Sequence, residues 1–148
     1  MKSEGWTERL NEYIESKRNV PFAWGTNDCA TFVAHAVEAI TGNLPAQRYL
    51  GQYSNGKEAI KTVLEIAGEY LAGGDVDYAS AMAVLPDAFG FKEIPVKLAK
   101  RGDIVLLKHR DNVPALGIVS LDGSMAVAPG PNGLVFIEVK KALKAWTV

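Results

Sequence analysis

The apolar residues of this chain change their spacing at Gly102, and that change limits the folds open to it. Before Gly102 they recur every three or four residues, the period of a helix with one buried face. After it they fall in short β-branched and aliphatic blocks separated by turn residues. Helices first and a hairpin-linked antiparallel sheet second predict an α+β fold. The spacing predicts a helix over 3–17, with Ser3 as its cap and Trp6, Leu10, Tyr13 and Ile14 on one stripe. A second opens at Cys29 and is stopped by Gly42. A third runs over 54–70, with Ile60, Val63, Leu64 and Ala67 on one side. A fourth covers 75–85, capped by Asp75 and closed before Pro86. Strands are predicted around 92–94 and over 103–108, 115–120, 124–128 and 134–139, with Asp122-Gly123 as a hairpin turn. The stretch 140–146 reads as a final helical turn.

The chain's only cysteine, Cys29, lies where a turn-forming run, Trp24-Gly25-Thr26-Asn27-Asp28, meets the second helix. Thr26, Asn27 and Asp28 are all good caps. At about 100° per residue, Cys29 shares a face with Phe32, Val33, Ala36 and Ile40. A thiol in the first turn of a helix faces N–H groups that favour its thiolate, which is the nucleophilic form. The same position also suits a cysteine that packs as a small hydrophobe.

The wording of residues 21–33, PFAWGTNDCATFV, with Leu44-Pro45 and Gln47 behind it, resembles the NlpC-type family of cell-wall cysteine peptidases. That family carries an aromatic-Trp-Gly turn, an Asp-Cys pair opening a helix, and a Leu-Pro segment with a Gln. Arg101-Gly102-Asp103-Ile104-Val105 resembles its Gly-Asp strand opening, and Leu116-Gly117-Ile118-Val119 resembles its Val-Gly-Ile strand. A phage-tail branch of this superfamily, described as a domain of unknown function, is similarly short and ends near an Ala-Trp pair, here Ala145-Trp146.

The resemblance implies a papain-like fold over 1–148, one domain, with N-terminal helices packed on a C-terminal antiparallel sheet. It implies Cys29 as nucleophile and Asp28 as a site-orienting residue; no cofactor is expected, and no metal, because Cys29, His35 and His109 lack zinc-site spacing. It implies other phage tail proteins at the hub or tip as partners, with peptidoglycan as a further one. The expected location is the virion tail, after synthesis in the bacterial host cytoplasm.

Three polar partners of the family's thiol are replaced here. The position of its base histidine is Ala115, that of its third polar group falls near Val127, and its site tyrosine is Phe22. Such a site reads as degenerate, and the runner-up is an active peptidase or amidase on peptidoglycan. His109, in the loop before Ala115, is the histidine placed to act as a substitute base. His35 lies six residues beyond Cys29, about 240° around the helix and about 9 Å along it, so it reads as a partly exposed helix residue.

Composition excludes other classes. The chain has 148 residues, 48% hydrophobic and 22% charged, which suits a packed globular protein. A net charge of −1 lacks the basic footprint of a nucleic-acid binder. No apolar run reaches membrane-spanning length, and the N-terminus has no apolar signal core. Gly51 to Lys57 mimics a phosphate-binding loop, but Glu58 stands where Ser or Thr should hold magnesium, so a helix start is expected there. Apolar residues of the 78–91 stretch (Met82, Val84, Leu85, Phe89 and Phe91) and Trp146 are expected on an exposed partner-binding surface.

Overall fold

The computed structural model describes residues 1–73, 76–108 and 113–148. Four helices come first: α1 (Trp6–Lys17), α2 (Cys29–Thr41), α3 (Gly56–Tyr70) and α4 (Tyr78–Ala88). Six strands follow: β1 (Lys92–Ile94), β2 (Ile104–Lys108), β3 (Pro114–Val119), β4 (Met125–Gly130), β5 (Gly133–Glu138) and β6 (Lys144–Thr147). They form one antiparallel sheet in the order β1-β6-β2-β3-β4-β5. The fold is α+β, as the change of spacing predicted.

Helix α2 is buried on most of its circumference, at Thr31, Phe32, Val33, Ala34, Ala36, Val37 and Ile40. It lies in one apolar core with Leu10 and Ile14 of α1, Val63 of α3, Met82 of α4, and Ile118, Val127 and Trp146 of the sheet. Its ends are set locally. The Asp28 side chain accepts from Thr31 N, and Gly42, at φ +83°, ends the helix in the left-handed conformation. The other face of the sheet carries a smaller cluster, Val105, Leu107, Val119, Ala126, Ala128 and Ala145. Strand β2 is thus buried on both faces, which explains its unbroken apolar run.

Several expectations are corrected. The helical turn expected over 140–146 is confined to a 3-10 turn at Val139–Lys141; from Lys144 the chain is β6, which inserts between β1 and β2, pairing Trp146 with both Glu93 and Ile104. Two edges that seek partners outweigh the weak local preference of four residues. Helix α4 does not stop before Pro86 but carries it in its last turn, and it starts after Asp77, whose side chain accepts from Ser80 N. Asp75, the expected cap, lies outside the described residues. Ser3 does not cap α1; its N–H and hydroxyl both donate to Ile40 O, and Gly5 precedes the helix. Ile60 is exposed, because α3 turns Ala59, Val63, Ile66 and Ala67 inward instead. The mimic of a phosphate loop is a helix start, with Asn55 accepting from Glu58 N.

The expected partner surface is also overturned. Met82, Leu85 and Trp146 are 1%, 5% and 0% exposed, and Val84, Phe89 and Phe91 pack half-buried against the core. The sheet supplies the surface that α4 covers, so its irregular apolar spacing reflects burial on several sides.

Candidate active site

Three chain segments meet at the start of α2. The Phe22 N–H donates to Gly130 O and the Leu134 N–H to Arg18 O, so the segment before α2 is fastened across the β4–β5 hairpin. The chain then turns back at Gly25, at φ +82°, where a Cβ would overlap the Tyr53 carbonyl. This turn delivers Asp28 and Cys29 to the open end of the sheet, beside the first residues of β3.

Asp28 is 2% exposed, and its carboxylate is fully engaged. It accepts from Gly25 N at 2.9 Å, Thr31 N at 3.0 Å and Thr31 Oγ1 at 3.0 Å. The Tyr53 hydroxyl donates to it at 2.9 Å. These four donors make Asp28 the knot that ties turn, helix and the 43–55 loop together, and its effect on Cys29 is to place it.

Cys29 is the first residue of α2 and lines a cleft of about 420 Å³. Phe22 and Trp24 form one wall, with ring centroids 4.7 Å apart at 89°. Ala115 of β3, Tyr78 of α4 and Pro129 of β4 supply the others. The residue as a whole is half-buried, but protein atoms crowd its sulfur, and that burial pushes the thiol from the ordinary 9.0 up to about 11. The Leu116 backbone N–H pulls it back, and the negative Asp28 pushes it further up. At pH 7 about one thiol in 10⁴ is ionised at such a value.

Alkylation of Cys29 by iodoacetamide is therefore expected to rise about tenfold per pH unit between pH 7 and 10. A rate that levels off below pH 9 would contradict the crowded thiol. The linkage runs the same way: the folded value lies above the unfolded one, so this stabilisation is present below pH 9 and is lost as pH rises toward 11.

The structure brings Ala115 and Cys29 to one cleft, with the Leu116 N–H at the sulfur. Phe22 lines it without a hydroxyl to offer. Val127 does not line it; it is fully buried opposite Ile118. His35 is a side chain 40% exposed, with Nδ1 3.3 Å from Glu38 Oε1. His109 lies outside the described residues; Val113 and Pro114, the described residues that follow it in the chain, border the cleft. Sequence reasoning missed Tyr53 and Tyr78, since neither carries a spacing signal toward Cys29. Among the described residues no helix is long and apolar enough to cross a membrane.

A helix opened by Asp-Cys and packed on an antiparallel sheet is the papain-like arrangement. The crystal structure of the NlpC/p60 domain of the peptidoglycan hydrolase SagA matches this chain with a TM-score of 0.53 at 16% identity, covering 96% of this chain and 98% of that one. The fold is thus that of the NlpC/p60 domains. The chain belongs to the family described as Domain of unknown function (DUF6950), whose model matches residues 1–148. No curated protein matches it.

Proposed function

We propose that this chain is an NlpC/p60-fold domain that works by binding a protein partner, as a tail-tip or tail-assembly component of a phage or prophage, and that its cysteine site is degenerate. The supporting observation is Ala115 lining the Cys29 cleft. Papain-like chemistry needs an imidazole to take the thiol proton and to return it to the leaving amine. A methyl group does neither, and the crowded thiol holds its proton at neutral pH. The tail role, the location in the virion tail and the hub or tip partners rest on the sequence resemblance of the Cys29 segment and the closing Ala145-Trp146 pair.

Purified protein is expected to release no more from peptidoglycan than a Cys29→Ala control, and to be retained by a neighbouring tail hub or tip protein in a pull-down. The second reading, a cysteine peptidase or amidase on peptidoglycan, is favoured by the structural likeness to a domain of a peptidoglycan hydrolase. Its base would be His109. Turnover abolished by both Cys29→Ala and His109→Ala would establish that reading and overturn the first.

A further inference from the structure

We propose that two copies of this chain pair through the outer faces of α3, antiparallel about a two-fold axis, with Leu64 meeting its own copy at the centre.

Helix α3 carries two rows of residues outside its buried face. Ala59, Val63, Ile66 and Ala67 turn inward. Lys57, Lys61, Glu65 and Glu69 stand at every fourth position, all exposed. Ile60, Leu64 and Gly68 form a second row beside them. Ile60 is 39% exposed, and Leu64 packs only partly on the core. A shallow groove lined by Lys57, Ile60, Lys61, Leu64 and Glu65 runs along both rows.

The charged row is unfavourable within one chain. Lys57 stands in the first turn and Glu69 in the last, opposite to what the helix ends favour. Lys57 and Lys61 are like charges four residues apart, and so are Glu65 and Glu69. Among the described residues none of the four makes an ion pair. Nothing within the chain requires Gly68 either. It lies inside the helix, where alanine is the better helix former, and a Cβ there would meet no atom within 4 Å.

A second α3 running the other way answers both features. In a two-fold pair each residue meets the one equally far beyond the centre. Lys61 then faces Glu65 of the second copy and Lys57 faces its Glu69, so both pairs centre on Val63. One residue along, Leu64 meets Leu64, and Ile60 enters the gap that Gly68 of the second copy leaves open. The absent side chain lets the helix axes approach. A uniformly acidic or basic partner would repel half of the row, so the reversal of sign at its midpoint selects a second copy. No residue of α3 lines the Cys29 cleft, and the pairing leaves that cleft open.

A contact between two helices of this length is small, so the association is weak and depends on concentration. Sedimentation equilibrium of the full chain from about 10 µM to about 1 mM is expected to show the average mass rising from 16.0 kDa toward twice that value. Gly68→Leu fills the gap without a clash at its Cβ. It should leave the thermal midpoint unchanged or raised and weaken the dimer at least about tenfold. A Lys57→Glu, Lys61→Glu variant and a Glu65→Lys, Glu69→Lys variant should each stay monomeric, and should pair with each other when mixed. A constant 16.0 kDa up to about 1 mM overturns the proposal, whether or not any variant folds. A dimer that Gly68→Leu leaves intact also overturns it, because the contact then lies elsewhere. So does either charge variant that associates with itself as strongly as the wild type.

Discussion

Trp146→Ala is expected to destabilise this protein by about 4 kcal/mol, in the range of large-to-small substitutions in a core. Trp146 is 0% exposed and sits on β6, between β1 and β2. Its ring faces the main core, and its Nε1–H donates to Asp87 Oδ2 at 3.1 Å, tying the sheet to α4. Removing it opens a cavity at the junction of both and leaves the carboxylate without its donor. A domain of this size has only about 5–15 kcal/mol of stability in total. The thermal midpoint should fall by roughly 10 °C. Trp146→Phe, which keeps most of the volume and loses the N–H, should cost roughly half as much. Thermal and urea unfolding measure both, and a loss below about 1 kcal/mol for the alanine variant would show that β6 is not part of the cooperative core.

Asp28→Ala comes next, at about 3 kcal/mol. One part is the loss of the α2 cap, about 1 kcal/mol. The remainder is the set of donors it strands: Gly25 N, Thr31 Oγ1 and the Tyr53 hydroxyl all point at the missing carboxylate. Each buried donor left unpaired costs about 1–3 kcal/mol, reduced where water can enter. Tyr53→Phe removes one of these groups together with its need for a partner, so the double variant should lose less than the sum of the two single losses. Urea unfolding of the three variants forms the cycle. Strict additivity, or a wild-type-like Asp28→Ala, would mean that Asp28 does not tie the turn, α2 and Tyr53 together. A role confined to orienting the Cys29 site would leave stability unchanged.

Where the polypeptide signals its structure within a few residues, the reading succeeded. A cap among Thr26, Asn27 and Asp28, the 3.6-residue spacing from Phe32 to Ile40 and the Gly42 stop were legible together, with only the choice of Asp28 left to the structure, and the start of α3 was legible to within a residue or two of Gly56. So was the crossing to strands after Gly102, because an apolar run such as Ile104–Lys108 suits a strand buried on both faces. Phe22 and Ala115, two of the three apolar residues named beside Cys29, line its cleft, and Val127, the third, does not.

What the sequence by itself determined about this protein is therefore the type and order of most of its α+β elements, and the placing of Phe22 and Ala115 near Cys29. Only the tertiary structure decided the rest. Strand β6 exists because β1 and β2 leave facing edges that lie far from it in the chain, and no window around Lys144–Thr147 contains that information. Helix α4 runs through Pro86 because packing against α3 and the sheet outweighs a local preference to stop. Tyr53 and Tyr78 reach the Cys29 region from distant segments, so their meeting with Asp28 and with the cleft follows from packing alone. A cap or a turn is set by energies between neighbours; a thiol pushed to about 11 is set by every chain segment that crowds it, and that crowding exists only once the fold is closed.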